Sequence, residues 1–181
     1  GEMAVPFASE SVALPILNTD AAWYEATRRY GPYNHHPYRC EDLNLESGGN
    51  TDLGEPLVAP FNGLVLAAGQ FYGAVGRVVQ ILGIVRGRVA VWCGWHLKEV
   101  TTQVGSLVLM GEAIGSIGNA DGKYAGAHLH HQVCYLKSAG VPHPTTFPTD
   151  DRYGWVQPSH FFQTNGVDPE LVERVHAWDG R

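Results

Sequence analysis

Two histidines separated by a single residue are the most chemically suggestive feature of the sequence. They lie in the segment His128-Leu129-His130, inside a run whose composition favours a β-strand. Residues two apart on a strand point to the same face, so both imidazoles are expected to project into one pocket. A neutral imidazole nitrogen binds zinc, and a neighbouring imidazole can transfer a proton. Taken alone, this spacing is equally compatible with a pair of surface histidines.

Further residues of the same chemistry lie upstream of this pair. His35 and His36 are followed by Asp42, and an imidazole with a carboxylate can supply the remaining ligands of a zinc site. A catalytic zinc site needs three protein ligands and one open position. His96 ends an apolar, strand-like run, where a histidine either serves in catalysis or lies half-buried with its hydrogen bonds satisfied.

A series of short strands must position these side chains. From residue 56 onward, runs rich in apolar and β-branched residues alternate with turns that contain glycine. No helical periodicity lies between the runs, so an antiparallel sheet or a partly closed barrel is expected rather than parallel βαβ units. The predicted strands cover residues 64–68, 76–82, 88–95, 113–117 and 128–135.

The two ends of the chain differ from this middle part. Asp20 is expected to cap a helix that stops at Gly31. Near the other end, Asp168 and Pro169 predict the start of a short helix that reaches Trp178. The sequence is therefore expected to comprise an N-terminal arm with a short helix, a central β domain and a helical tail, over residues 1–33, 34–162 and 163–181.

Charge and composition exclude several classes of function. The chain has 181 residues, a net charge of −6 and no basic cluster, so a nucleic-acid-binding protein is not expected. No apolar run approaches the length of a membrane span. The three cysteines form no Cys-x-x-Cys pair, which argues against a thiolate zinc cluster. The first residues lack the charged and apolar blocks of a signal peptide.

In their order along the chain, these pieces resemble the lysostaphin-type (LytM-like) zinc endopeptidases over roughly residues 34–162. Glycine-spaced turns between the motifs also follow the family's pattern. The motifs that carry the resemblance are Glu41-Asp42-Leu43-Asn44, His96-Leu97 and Gly126-Ala127-His128-Leu129-His130.

The resemblance implies a mainly β fold with short peripheral helices and one zinc ion per chain. It implies that Asp42 and His130 are metal ligands and that His96 and His128 are the catalytic imidazoles. The family usually places its first histidine ligand four residues before the aspartate, where this sequence has Tyr38.

A loop insertion of two residues would bring His36 into the position of the first ligand, and loops tolerate insertions readily. His36 is therefore the expected third ligand, with His35 as the alternative. The ring and acid that commonly follow the family's last histidine are replaced by His131 and Gln132. His131 should face away from the site because side chains alternate along a strand.

By the same resemblance, the expected activity is hydrolysis of peptide bonds in peptidoglycan cross-bridges or stem peptides. The chain would then act at the cell envelope, whether secreted, periplasmic or virion-associated, and a larger assembly partner remains open. One alternative is a non-catalytic binding or regulatory module of the same fold. Another is a zinc peptidase of the D-alanyl-D-alanine type, in which His35 would bind the metal.

Overall fold

The fold is a β-sheet flanked by two short helices. A computed structural model describes residues 8–27 and 39–178. Within these ranges a short 3₁₀ helix covers Gly73–Val75. The other elements are β1 (Ala8–Ser9), β2 (Trp23–Glu25), β3 (Cys40–Leu45), β4 (Pro56–Val58), β5 (Gly63–Phe71), β6 (Arg77–Val85), β7 (Arg88–Leu97), β8 (Leu107–Val108), β9 (Ala113–Ser116), β10 (Leu129–Tyr135), β11 (Gly154–Val156), α1 (Pro158–Thr164) and α2 (Pro169–Val175).

Nine of the strands form one sheet, with the order β2-β3-β10-β7-β6-β5-β8. β11 pairs with β10, and β1 lies parallel to β6, whereas the other pairs are antiparallel. β4 and β9 form a separate two-stranded sheet. The predicted mainly antiparallel β fold is confirmed, and the main sheet is open rather than closed into a barrel.

The glycine-bounded β runs of the sequence correspond to β5, β6, β7, β9 and β10. Several of these strands are longer than predicted, since β5 continues to Phe71 and β7 continues to Leu97. The extension of β7 matters for function because it carries His96 into the sheet. Pairing with β6 and β10 on its two sides supplies the extra backbone hydrogen bonds.

The helix predicted from Asp20 is wrong over its described part. Residues Trp23–Glu25 form β2, which pairs with β3. Trp23 and Glu25 are buried while Tyr24 is partly exposed, the alternation of a strand. Completing the hydrogen bonds of β3 therefore outweighs the local helix propensity. The rest of that predicted helix, residues 28–31, lies outside the described residues.

Two helices cover one face of the sheet at its β2-β3-β10 end. α1 contacts β3 and β10, and α2 contacts β2. Phe161 and Phe162 of α1 are fully buried and belong to the same apolar core as Trp92 and Leu129.

α2 confirms the predicted C-terminal helix, although it ends at Val175. Asp168 caps this helix by accepting a hydrogen bond from the Glu170 N–H. α1 was not predicted, although Pro158 at its first turn is a helix-start signal.

Neither helix of the described ranges is long and apolar enough to cross a bilayer.

Candidate metal centre and active site

An aspartate and a histidine face each other across two neighbouring strands. Asp42 of β3 lies directly opposite His130 of β10. Asp42 Oδ1 is 3.2 Å from His130 Nδ1. Two ligands of one tetrahedral zinc ion at bond lengths near 2.0–2.1 Å lie about 3.3 Å apart. The spacing of these two atoms therefore suits shared coordination of one metal ion.

Hydrogen bonding fixes which nitrogen of His130 points at Asp42. His130 Nε2–H donates to Gln132 Oε1 at 2.8 Å, and the Gln132 amide donates to the Thr146 carbonyl at 2.8 Å. A neutral imidazole that donates from Nε2 keeps the lone pair on Nδ1. Gln132 stands where the family pattern has an acid. Its amide oxygen accepts the hydrogen bond from His130 Nε2–H.

Trp95 packs against the face of the His130 ring. The two rings are stacked, with centroids 4.0 Å apart and an interplanar angle of 13°. Trp95 Nε1–H donates to the Pro144 carbonyl at 2.8 Å, which anchors the indole. Gly94 leaves room for a second indole, since a Cβ at this position would lie 2.7 Å from the Trp92 ring. Trp95 is thus the indole that contacts His130 directly, while Trp92 packs over Gly94.

Asp42 is held as a carboxylate. Burial alone would raise the pKa of Asp42, but the surrounding imidazoles of His128, His130 and His96 outweigh burial and hold that pKa well below its usual range. Asp42 Oδ1 is buried and has no hydrogen-bond donor among the described residues. A buried anionic oxygen without a donor, beside an imidazole lone pair, is a donor set that fits zinc.

His35 and His36 lie outside the described residues, so the third ligand stays a prediction.

His128 immediately precedes β10 and faces the same pocket. Its Nδ1–H donates to the Gly126 carbonyl at 3.1 Å, which leaves the lone pair on Nε2. That Nε2 is 3.9 Å from Asp42 Oδ2. The side chain is 15% exposed. His128 is therefore next to the candidate metal position, oriented by a backbone hydrogen bond and open to solvent.

A left-handed backbone turns His96 into the pocket. Trp95 pairs with His130 across the strands, so regular alternation would send His96 to the opposite face. His96 instead has a φ of 70°, a strained value for a residue with a Cβ. Its ring centroid is 4.6 Å from that of His128 and 5.9 Å from that of His130.

His96 is a neutral base in this setting. Its Nδ1–H donates to the Val75 carbonyl at 3.0 Å, which leaves Nε2 as the basic nitrogen. Burial, with the neighbouring charges of His128 and His130, lowers the pKa of His96 to about 3. The structure brings His96, His128, His130 and Asp42 together, and their roles as ligands and catalytic groups stay predictions.

These residues line a cavity of about 300 Å³. A second cavity of about 340 Å³ is also lined by Asp42, Tyr124 and His128, so the two cavities adjoin at these residues and are together called the groove. A larger cavity of about 610 Å³ lies near α1 and β11 and contains no carboxylate. The groove therefore holds the chemistry, although it is not the largest concavity. The first cavity is lined by Asp42, Ala74, Val75, Trp95, His96, Tyr124, His128, His130 and Phe147.

Sequence reasoning missed three residues that support the site. Gln132 follows His130 by two positions, so the alternation of a strand was a signal that it shares the face. Trp95 adjoins His96, but its stacking depends on pairing between β7 and β10. Tyr124 lies in a loop, with its ring centroid 4.7 Å from His96 and 5.1 Å from His128. Nothing in the sequence marked it.

Comparison with known families yields one match. The model of peptidase family M23 matches residues 49–142, slightly more than half of the chain. The matched range contains His96, His128 and His130 and begins after Asp42. No protein of curated function is significantly similar in sequence.

Several solved structures share the fold at low sequence identity. The antimicrobial peptidase lysostaphin from Staphylococcus simulans is 19% identical, with a TM-score of 0.55 over 90% of this chain and 55% of its own. Helicobacter pylori Csd3 is 18% identical, with a TM-score of 0.56 over 91% and 37%. LytU is 22% identical, with a TM-score of 0.53 over 95% and 97%. The chain thus spans about half of lysostaphin, little more than a third of Csd3 and nearly all of LytU.

Proposed function

Because this chain belongs to peptidase family M23, we propose that it is a zinc-dependent endopeptidase that hydrolyses peptide bonds in peptidoglycan cross-bridges or stem peptides. It would act at the cell envelope. The observation that carries the proposal is the juxtaposition of the Asp42–His130 pair with two oriented imidazoles, His96 and His128, in one solvent-accessible groove.

In this proposal Asp42 Oδ1 and His130 Nδ1 hold the metal, with His36 as the third ligand. When bound, zinc supplies Lewis-acid polarisation of the scissile carbonyl and lowers the pKa of water in its open position toward neutrality. Gln132 fixes the His130 tautomer, and Trp95 fixes the plane of its ring. These two contacts keep the ligand nitrogen aimed at Asp42 without rearrangement during turnover.

The two remaining imidazoles have different roles. Each holds its Nδ1–H on a backbone carbonyl and has a lone pair on Nε2. His128 Nε2 accepts a proton from the attacking water and, as the imidazolium so formed, donates that proton to the leaving amine. His96 stays neutral because its pKa is lowered to about 3, and its Nε2 accepts a hydrogen bond that orients the water. His128 is the more exposed of the two and reaches Asp42 Oδ2 to within 3.9 Å, so we assign the general base to it.

A digestion experiment tests this function. Zinc-loaded protein is incubated with purified peptidoglycan, and new amino termini and soluble fragments are measured. Cleavage is expected to stop with a chelator and to return with added Zn²⁺. His143→Ala, which changes an exposed histidine outside the groove, is the matched control and should cleave like the wild type. Zinc-loaded protein that cleaves no peptidoglycan would point to the non-catalytic module instead.

The identity of the third ligand has its own test. Bound zinc is measured in protein with the single change His36→Ala or His35→Ala. Loss of the active-site zinc with His36→Ala and its retention with His35→Ala is the expected result. The reverse pattern would assign His35 and would match the ligand spacing of the D-alanyl-D-alanine type.

A further inference from the structure

A second cluster of metal-binding side chains lies on the opposite face of β3 and β10. Glu41 and His131 are a directly opposed cross-strand pair, and His176 follows the last residue of α2. These residues are 2%, 0% and 3% exposed, respectively. One ligand atom of each lies within 4.8 Å of the other two. The proposed peptidase chemistry uses none of them.

Each of the three side chains has a buried polar atom with no hydrogen-bond partner among the described residues. These atoms are Glu41 Oε2, His131 Nε2 and His176 Nε2. The other Glu41 oxygen accepts from the Ser159 N–H at 2.8 Å, and His176 Nδ1–H donates to the Val172 carbonyl at 3.0 Å. A buried polar atom without a partner destabilises a fold, so three such atoms in one cluster of side chains indicate a common ligand.

We infer that Glu41, His131 and His176 bind a second divalent metal ion, for which two imidazoles and one carboxylate are a donor set that zinc takes in proteins. His176 Nε2 and Glu41 Oε2 are 3.4 Å apart, close to the edge of a zinc tetrahedron. Three atoms within 4.8 Å of one another have a common point no more than about 2.8 Å from each. Shifts of under about 1 Å bring all three to bonding distance.

A shared proton explains the cluster less well than an ion. One proton between His176 and Glu41 would satisfy two of the three atoms and leave His131 Nε2 without a partner. His131 Nδ1 accepts a hydrogen bond from Trp92 Nε1–H at 3.4 Å, a distance beyond the usual range for N–H donors. Coordination through Nε2 places the imidazole proton on Nδ1, which can then no longer accept a hydrogen bond. Metal binding would therefore break the hydrogen bond from Trp92.

The cluster has an access route and an apolar shell. A cavity of about 510 Å³ between α1 and α2 is lined by His176 and by Ser159, the residue that contacts Glu41. On the inner side, the Phe162 ring stacks on both imidazoles, with centroids 5.8 Å from His131 and 6.4 Å from His176. An ion can therefore enter from solvent and then lie in a site of low dielectric, where carboxylate and imidazole ligands bind strongly.

The ion would join three elements that are distant in sequence. Its ligands come from β3, β10 and the end of α2, so it would fix the C-terminal helix on the sheet. Its effect is therefore on stability, and it does not depend on the proposed peptidase function. This site adds a second zinc ion to the one per chain that the sequence predicts.

The test starts from a chain in which the groove can no longer bind zinc. The double variant Asp42→Asn/His130→Gln removes two ligands there and leaves the buried cluster intact. It is equilibrated with Zn²⁺, freed of unbound metal and subjected to elemental analysis. About one zinc per chain is the expected result. No bound zinc in this variant, with zinc present in the wild type, would overturn the inference.

Further single changes assign the ligands in the same background. Adding Glu41→Gln, which keeps the shape of the side chain, or His176→Gln should lower bound zinc at least tenfold. Adding His160→Gln, a change at an exposed histidine of α1, is the matched control and should leave it unchanged. Equal zinc in all of these proteins would assign the metal elsewhere and contradict the site.

Thermal unfolding of the double variant provides a readout that does not require the cluster variants to fold. At a zinc concentration 100-fold above the dissociation constant, the unfolding midpoint should rise by about 5–10 °C and fall back with a chelator. A midpoint that does not respond to zinc would also overturn the inference.

Discussion

The two faces of β3 and β10 carry the same kinds of side chain in opposite settings. Asp42 and His130 face the groove, whereas the neighbouring pair, Glu41 and His131, faces the core beneath α1 and α2. On the groove side, two further imidazoles and solvent surround the pair. On the core side, the helices cover the pair and His176 completes the cluster. The same acid–imidazole chemistry is thus suited to reaction on one face and to stabilisation on the other.

The largest expected effect separates the two faces by activity. Asp42→Asn removes an anionic metal ligand, so hydrolysis of peptidoglycan should fall by at least about 1,000-fold. The unfolding midpoint should also fall, because the lowered pKa of Asp42 means that its carboxylate stabilises the fold at neutral pH. Glu46→Gln, a change at an exposed acid of the next loop, is the control. Activity within tenfold of wild type would contradict the proposal that Asp42 is a metal ligand.

The corresponding change on the core face should act on stability. Glu41→Ala leaves His176 and His131 buried without their carboxylate and should lower the free energy of unfolding by about 3 kcal/mol. For a chain of this size, that corresponds to a midpoint lower by about 6–12 °C. Hydrolysis per folded molecule should stay within a few-fold of wild type. A loss of activity as large as that of Asp42→Asn, in folded protein, would contradict the division between the faces.

A smaller effect is expected at the residue that orients His130. Gln132→Leu removes the acceptor for His130 Nε2–H, so zinc affinity in the groove should weaken by about 10–100-fold. Gln132→Glu retains an acceptor and should bind zinc at least as tightly as the wild type. Titration with a zinc-buffered indicator measures both. Equal affinity of the leucine variant would show that Trp95 stacking alone positions the ligand.

The smallest effect concerns Asp52, a buried carboxylate whose pKa is dominated by desolvation. Desolvation raises the pKa of Asp52 to about 6, the opposite direction from Asp42. A carboxyl with a raised folded-state pKa stabilises the fold fully below its unfolded pKa and loses this contribution as pH rises through about 6. Asp52→Asn should flatten stability between about pH 4 and 6.5, by about 1 kcal/mol after allowance for solvent screening. Chemical denaturation at several pH values measures it, and parallel curves for both proteins would contradict the shift.

Local patterns in the sequence predict the sheet but not all of its edges. The strands around His96 and His128 follow from β-rich runs bounded by glycine, because those runs have no competing structure. The segment at Asp20 has helix signals, yet tertiary pairing with β3 makes it a strand. This strand depends on pairing with residues far away in the chain, so no local sequence pattern predicts it.

The sequence predicted which residues lie near one another in the groove, but not their geometry. Alternation along β10 correctly places His131 and His130 on opposite faces of the strand. Which residues His131 contacts depends on how α2 packs on the sheet. The left-handed backbone at His96 is equally invisible in the sequence, since a histidine in a strand is expected to alternate regularly. Residues 28–38, which include His35 and His36, lie outside the described residues, so their assignment still rests on the resemblance.

The most direct test of the peptidase account compares wild type with His128→Ala in one set of samples. Zinc content and release of amino termini from peptidoglycan are measured together. The account predicts equal zinc in both proteins and a release rate lower by about 100- to 10,000-fold in the variant, as for loss of a general base. Equal rates would contradict the role of His128, and loss of the groove zinc in the variant would make His128 a ligand instead.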